Sequence, residues 1–91
     1  MRMRHKLAPT AIYKRAYKSF IKKHPELAEK VKERLELLQN NPSDPLLKTH
    51  PLTGKLKELM SCRISYEYRI VFRQNGDVIF LLNIGSHDEV Y

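Results

Sequence analysis

The sequence of 91 residues contains one cysteine, three glycines and no long apolar run. The single cysteine, Cys62, excludes an internal disulfide framework and any zinc site built from several cysteines. No apolar run approaches the roughly 18 residues that a membrane span needs. The basic N-terminus is not followed by the apolar core of a secretion signal, so we expect a cytoplasmic protein. P-loops, Rossmann glycine signatures and nucleophile elbows are also missing from the sequence.

Acidic residues are missing from residues 1–23, which carry eight lysines and arginines and therefore a charge of +8. Residues 24–91 hold nine cations and ten acids, which gives −1 and leaves the net charge of +7. Such a basic block suggests a polyanionic partner: nucleic acid first, then an anionic membrane, then an acidic protein. A role in solubility alone is the alternative that the charge pattern leaves open.

The composition is that of a globular protein, with 42% hydrophobic and 30% charged residues. This balance argues against disorder over most of the length. A chain of this size can bury one hydrophobic core but not two. We therefore expect residues 1–91 to form a single domain.

Two amphipathic helices are predicted in the first half of the chain. Thr10 can cap the first, and apolar residues follow it at one-four spacing with basic residues on the opposite side. Pro25 suits the first turn of the second helix, which the Gln-Asn-Asn-Pro sequence at 39–42 ends. Arg34 is predicted to be solvated, like the other charged residues of this helix. Its predicted buried stripe consists of Leu27, Val31, Leu35 and Leu38. The tight connection between the helices indicates an antiparallel hairpin.

The hydrophobic period changes from 3.6 to 2 after Gly54, which predicts an antiparallel sheet. The predicted strands are Leu59–Tyr66, Glu67–Gln74 and Asp77–Ile84. Tyr66 is assigned to the apolar face, and Asn75-Gly76 is the favoured two-residue hairpin turn. The segment His5–Pro9 is a candidate for an added edge strand. The predicted fold class is α+β, with the helical hairpin packed on a small antiparallel sheet.

Polar residues are predicted to cluster on the face of the sheet that the helices leave open. They are Ser61, Arg63, Glu67, Arg69 and Arg73. Side chains on one face of neighbouring strands lie within reach of each other. Three guanidinium groups beside one carboxylate suit a phosphate, with the acid as a proton acceptor. The alternative is a solvated cross-strand ladder of salt bridges.

Two histidines lie where proton transfer near neutral pH would be useful. His87 follows Gly85-Ser86 at the end of the last predicted strand, and His50 lies in a proline-rich loop. Each is, as an alternative, simply an exposed histidine. The four histidines lack the helix-face spacing of metal ligands, so neither a metal nor a cofactor is predicted. Cys62 alternates onto the apolar face and is interpreted as a small buried hydrophobe rather than a nucleophile.

Three segments carry a family resemblance. They are His50–Lys57 (HPLTGKLK), Tyr68–Arg73 (YRIVFR) and Asn83–His87 (NIGSH) followed by Val90-Tyr91. Together, and over about residues 6–91, they resemble the RelE/ParE superfamily of bacterial toxins from type II toxin–antitoxin modules, closest to its RelE/YafQ-like mRNA interferase branch. The resemblance implies two N-terminal helices packed on a curved antiparallel sheet. It also implies an endoribonuclease that cleaves messenger RNA without a metal, typically on the translating ribosome.

The reaction implied by the resemblance is attack of a ribose 2′-hydroxyl on the adjacent phosphorus, which forms a 2′,3′-cyclic phosphate. This step needs a base, cations for the developing charge and an acid for the leaving 5′-oxygen. By position in the family pattern, His50 is expected to be the base or to position the phosphate. Arg69 is expected to stabilise the transition state, and His87 to be the general acid. Glu67 falls where the YafQ-like branch has an aspartate.

Further substrate contacts are implied outside these four catalytic candidates. They are Arg63, Arg73, Lys55, Lys57 and the terminal aromatic Tyr91, which would stack on or orient the substrate. Two positions depart from the YafQ-like pattern: Arg63 stands where that branch has histidine, and Ser61 where it has an acid. The first departure affects proton transfer, because arginine cannot readily act as a base.

The partners implied by the resemblance are a cognate antitoxin, messenger RNA and the ribosome, and no membrane. The basic face of the first helix is expected to hold ribosomal RNA electrostatically, through Lys14, Arg15, Lys18 and Lys22. Two alternatives stay open. One is a ParE-like inhibitor of DNA gyrase that cleaves nothing, against which the histidine pair His50 and His87 argues. The other is a degenerate, non-catalytic toxin, which Ser61 and Arg63 leave possible.

Overall fold

Two helices cover one face of a five-stranded sheet in the computed structural model, which describes residues 4–52 and 58–90. The strands are β1 Lys6–Pro9, β2 His50–Pro51, β3 Met60–Arg63, β4 Tyr68–Asn75 and β5 Val78–Ser86. The helices are α1 Ala11–Lys23, α2 Ala28–Asn40 and the single turn α3 His87–Val90, with 3₁₀ turns at Pro25–Leu27 and Pro45–Leu47. The predicted α+β class is confirmed.

The strand order of the sheet is β1-β5-β4-β3-β2. Strand β1 pairs with β5 in parallel, and the other three pairs are antiparallel. The candidate edge strand at His5–Pro9 is thus β1, and it makes the sheet mixed rather than purely antiparallel. Its direction is fixed at both ends, because Lys6 N–H donates to the Asp77 carbonyl at 2.7 Å and Thr10 N–H to the Leu81 carbonyl at 3.0 Å.

Thr10 begins α1, as predicted. Its Oγ1 accepts a hydrogen bond from the Tyr13 backbone N–H at 3.2 Å, which satisfies one of the free donors of the first turn. The same hydroxyl donates to the Leu81 carbonyl at 2.8 Å. One side chain therefore caps the helix and fastens it to β5.

Arg34 of α2 corrects the prediction that the charged residues of this helix are all solvated. Its side chain is only 12% exposed. Its Nη1 donates to the Leu46 carbonyl at 2.8 Å, so the long side chain bridges α2 and the 3₁₀ turn that precedes β2. An arginine can bury its methylene stem while its guanidinium finds a carbonyl partner, and periodicity alone does not reveal this.

The core lies between the helices and one face of the sheet. In the register of the sheet Cys62 lies opposite Ile70, and Ile70 lies opposite Ile84. All three are buried and pack with apolar residues of α1 and α2, namely Tyr13, Phe20, Val31 and Leu38. Because side chains alternate along a strand, the residues next to this row point to the open face.

The connection between β3 and β4 is longer than predicted, because residues 64–67 form a bend where the two predicted strands adjoin. The Ile64 N–H donates to the Tyr68 carbonyl at 2.9 Å, which closes a short bend and takes residues 65–67 out of the strand ladder. The prediction that Tyr66 lies on the apolar face is therefore wrong, and its side chain is exposed. A period of two has no meaning in this segment, because the segment is not a strand.

The β4–β5 hairpin also differs in detail from the prediction. Asn75 pairs with Val78, so the two turn residues are Gly76 and Asp77 rather than Asn75 and Gly76. Gly76 has a φ of 60°, which suits glycine at the first central position of a two-residue hairpin turn. Strand β5 continues through Gly85 instead of stopping there, because Arg69 pairs with that residue.

Within the described ranges, no helix is long and apolar enough to cross a membrane.

Candidate active site

An open depression of about 420 Å³ lies at one end of β3, β4 and β5. It is lined by Arg63, Tyr66, Glu67, Arg69, Ser86, His87 and Asp88. Arg63 and Arg69 are the neighbours of Cys62 and Ile70 in the buried row, so they belong to the face of the sheet that the helices leave open. Three of the four predicted catalytic residues, all except His50, thus surround one space.

Arg63 and Arg69 lie directly opposite each other on neighbouring antiparallel strands. Like charges in this position destabilise a sheet. The Nε atoms of both are buried and have no hydrogen-bond partner among the described residues, and none of the ion pairs found there involves either guanidinium. An anion bound between the two groups would relieve their repulsion.

The bend at residues 64–67 is held in place by the groups around the depression. Arg69 Nη1 donates to the Ser65 carbonyl at 3.2 Å and approaches the Tyr66 carbonyl at 3.5 Å. The backbone N–H of His87 donates to the Glu67 carbonyl at 3.1 Å. The backbone around Glu67 is therefore fixed from both sides, by the arginine of β4 and by the start of α3.

His87 begins α3 and is more than half exposed. Its Nδ1 lies 3.7 Å from Oδ1 of Asp88, and the lining of the depression includes both residues. A histidine in this position can deliver a proton to a group bound over the arginines.

His50 lies two strands away from β4, on the edge strand β2. Its Nδ1 is 3.0 Å from the Lys48 carbonyl, which can only accept a hydrogen bond, so Nδ1 carries the proton. In the neutral ring Nε2 then accepts from the Ser61 hydroxyl, whose Oγ is 3.4 Å away. Ser61, predicted on the open polar face, is fully buried beneath this contact. His50 shares this face but does not line the depression.

Arg73 lies away from the other candidates. The register of β4 and β5 shifts between Val71 and Phe72, and Arg73 then pairs with Phe80. Its guanidinium carbon stands 5.2 Å from the centre of the Phe80 ring, a cation–π contact. Four residues along a strand span about 13 Å, so the predicted cluster of three arginines is a pair.

Of the remaining predicted site residues, the structure describes the four on α1 but not the other three. Those of the basic face of α1, Lys14, Arg15, Lys18 and Lys22, are all exposed. The C-terminal end of α1 lies near the end of the sheet that carries the depression, which is called the site end below. The ring of His24, which follows α1, is 4.7 Å from the ring of Tyr68 at the start of β4. Lys55, Lys57 and Tyr91 lie outside the described residues.

Sequence reasoning misses three residues of the depression, Tyr66, Ser86 and Asp88. The alternating pattern wrongly places Tyr66 on the apolar face of a strand. Its true position follows from the end of β3 at Arg63, which the sequence does not mark. Asp88 stands next to a predicted catalytic histidine, and that adjacency is the available signal. In ranges 4–52 and 58–90, no three His, Cys, Asp or Glu side chains lie close enough to hold a metal ion.

The comparison with known families decides the identity of the chain. Residues 5–91 match the model of the bacterial toxin of type II toxin–antitoxin systems, YafQ. The chain belongs to the YafQ toxin family. The resemblance seen in the sequence is thereby confirmed, and the depression is a feature of a YafQ-family toxin. No curated protein sequence matches the chain significantly.

Solved structures agree with this fold. A copper-bound mutant toxin from Helicobacter pylori is 25% identical, with a TM-score of 0.77, over 96% of this chain and 99% of that one. YafQ from Escherichia coli BL21(DE3) is 17% identical, with a TM-score of 0.81, over 96% and 98% of the two chains. The E. coli DinJ–YafQ toxin–antitoxin complex contains a chain that is 19% identical, with a TM-score of 0.81, over 98% and 99%.

Proposed function

We propose that this YafQ-family toxin is an endoribonuclease that cleaves messenger RNA on the translating ribosome and so inhibits translation and growth. One observation carries the proposal: two opposed arginines, with their Nε atoms buried, share a depression with a carboxylate and a histidine. Guanidinium groups bind phosphate oxygens through paired, charge-assisted hydrogen bonds. The depression therefore suits one phosphate of an RNA strand.

The reaction is transfer of the phosphoryl group to the neighbouring 2′-oxygen. A base takes the proton of the 2′-hydroxyl, the 2′-oxygen bonds to phosphorus, and the bond to the 5′-oxygen breaks. An acid returns a proton to that oxygen, which leaves a 2′,3′-cyclic phosphate and a 5′-hydroxyl. Arg63 and Arg69 stabilise the negative charge that develops on the phosphoryl oxygens.

The order of the strands supports a base and an acid on opposite sides of the phosphate. A phosphate over Arg63 and Arg69 lies above β3 and β4, with His50 on β2 to one side and His87 at the end of β5 to the other. In-line displacement needs the two proton-transfer groups on opposite sides of phosphorus. We assign His50, whose Nε2 lies beside the Ser61 hydroxyl of β3, as the base and His87 as the acid.

Glu67 completes the assignment. It lines the depression together with Arg69 and His87, whereas His50 does not. A carboxylate there can orient the 2′-hydroxyl while the base removes its proton. The position of its backbone is kept by the hydrogen bond from His87 N–H to its own carbonyl.

A cognate antitoxin is the proposed protein partner. The YafQ of Escherichia coli, which shares this fold, has been solved in complex with the antitoxin DinJ. Helix α1, with five cations and no acid, would attract an acidic antitoxin segment that folds on binding.

The test is RNA cleavage by the purified toxin, with and without ribosomes, in the wild type and in matched arginine variants. Arg69→Ala should reduce the cleavage rate about 100-fold to 1,000-fold, because it removes a group that stabilises the transition state. Arg73→Ala, on the same strand but about 13 Å away, should have a much smaller effect. Equal losses in the two variants would contradict the assigned site. Intact RNA together with inhibition of gyrase supercoiling would replace the proposal by a ParE-like function.

A further inference from the structure

We infer that Tyr66 is a stacking platform for one nucleobase of the RNA, next to the phosphate held by Arg63 and Arg69. The inference rests on the proposed function and extends it, because it adds a base-binding subsite to a phosphate-binding one. The subsite is formed by this ring at the rim of the depression.

The exposure of Tyr66 is the first observation. Its side chain is 85% exposed, the highest value among the large hydrophobic residues that lie open to solvent in the described part of the chain. No ring of the described residues stacks on it, whereas Tyr13, Tyr17 and Tyr68 all have aromatic neighbours. Single-stranded RNA is commonly bound by stacking its bases on such free aromatic rings.

The second observation is that the backbone beneath the ring is fixed. Ile64 N–H and Ser65 N–H both donate to the Tyr68 carbonyl, at 2.9 and 3.4 Å. Arg69 Nη1 contacts the carbonyls of Ser65 and Tyr66 from the other side. An aromatic side chain on a fixed backbone loses little conformational entropy when a base stacks on it.

The third observation is the distance to the phosphate site. The Arg69 guanidinium is 3.5 Å from the carbonyl oxygen of Tyr66 itself. Tyr66 and Arg69 also line the same depression, so a phosphate bound to that guanidinium lies in the space that the tyrosine borders. A single nucleotide can reach both, with its phosphate on the arginine and its base on the tyrosine.

The surroundings favour RNA over a protein segment as the occupant. The ring is flanked by Arg63, Glu67 and Arg69 rather than by other apolar side chains, so it is not the centre of an apolar docking patch. Two cations beside one exposed ring match the backbone and the base of a nucleotide.

The chain contains no tryptophan, so Tyr66→Trp provides a unique fluorescent reporter that keeps the stacking surface. The ligand is an adenine decamer with 2′-O-methyl riboses, which lacks the attacking hydroxyl and stays intact. It is added alone and also as the message on programmed ribosomes. We expect quenching of the tryptophan emission by the decamer and much weaker quenching by an abasic decamer of the same length.

Binding of the same decamer then separates the ring from the rest of the surface. Tyr66→Ala should weaken binding about 5-fold to 100-fold, the range typical of one base–aromatic stack, and Tyr66→Phe should bind like the wild type. Ile12→Ala, which removes another exposed apolar side chain, on α1, is the control and should bind normally.

The outcomes of these experiments distinguish failure of the stacking platform from failure of the proposed ribonuclease function. Normal cleavage and normal decamer binding by Tyr66→Ala would overturn the stacking platform and leave the ribonuclease proposal intact. Base-dependent quenching by a protein that cleaves no RNA would support the subsite and overturn the ribonuclease. Loss of antitoxin binding by Tyr66→Ala, with RNA binding unchanged, would assign the ring to the protein partner instead and overturn the inference.

Discussion

Cys62 lies at the centre of the core, opposite Ile70, and its surroundings govern its chemistry. Burial raises the pKa of the thiol from its ordinary value of 9.0 to about 12, although the Arg34 guanidinium acts in the opposite direction. Between about pH 9 and pH 12 the thiol is therefore mostly neutral in the folded protein, whereas a free cysteine is mostly ionised. This agrees with its interpretation as a small apolar residue and not a nucleophile.

The Cys62 pKa predicts a loss of stability at alkaline pH. Between about pH 9 and pH 12 the folded state keeps a proton that the unfolded state releases, so the free energy of unfolding falls as pH rises. The fall amounts to about 1.4 kcal/mol per pH unit once the unfolded thiol is ionised. Urea unfolding at pH 8 and pH 10 should show a decrease that is smaller by about 1 kcal/mol in Cys62→Ala. An unchanged pH dependence in the variant would show that the buried thiol is not responsible. Burial raises the Tyr13 pKa too, so part of the decrease should persist.

At the candidate site, the sequence predicts the position of some residues correctly and of others wrongly. The alternation of β3 and β4 correctly places Arg63 and Arg69 on one face, because a strand has a strict period of two. The same rule fails at Tyr66, where a backbone bond from Ile64 to Tyr68 ends the strand. It also cannot foresee the register shift that separates Arg73 from the pair. Tertiary contacts decide these positions, and no local pattern records them.

At the scale of elements, the sequence predicts the starts and ends of helices better than it predicts the partners of strands. Thr10 predicts a helix cap, Pro25 the first turn of a helix and the Gln-Asn-Asn-Pro sequence at 39–42 a helix end, and the structure has a cap, a 3₁₀ turn and a helix end at these places. The parallel pairing of β1 with β5 joins residues about seventy positions apart in the chain. Only the assembled sheet determines such a pairing, so the sequence indicates an edge strand without its direction.

The junction of β1, α1 and β5 depends on the Thr10 hydroxyl. Thr10→Ala should lower the free energy of unfolding by about 1–2 kcal/mol, because it removes both the helix cap and the hydrogen bond to the Leu81 carbonyl. Thr10→Ser keeps the hydroxyl and should restore most of the loss. Urea unfolding followed by circular dichroism measures the difference. Equal stabilities of the alanine and serine variants would show that the hydroxyl does not join these elements.

At the scale of the whole molecule, the basic face of α1 and the candidate active site lie on different layers of the fold. The cations of α1 lie on the helix layer, whereas Arg63 and Arg69 lie on the open face of the sheet. The two regions approach each other at the site end, where His24 at the end of α1 packs against Tyr68. In the proposed function, ribosomal RNA contacts the helix layer while one phosphate of the message occupies the depression. The proposal therefore gives the cations of α1 a role in the affinity for RNA and the arginine pair a role in catalysis.

This division predicts different effects for two pairs of lysines with the same charge. Replacing Lys14 and Lys18 of α1 by alanine should weaken binding to ribosomes and reduce the slope of log affinity against log salt by about 1 to 2, because two phosphate contacts are lost. Replacing Lys30 and Lys32, which are also exposed but lie on α2 among acidic residues, is the matched control and should change both quantities less. Mapping of 5′ ends on messenger RNA should give the same cleavage positions in all variants, since the depression is untouched. Shifted cleavage positions in the α1 variant would show that the basic helix also selects the phosphate that is cut.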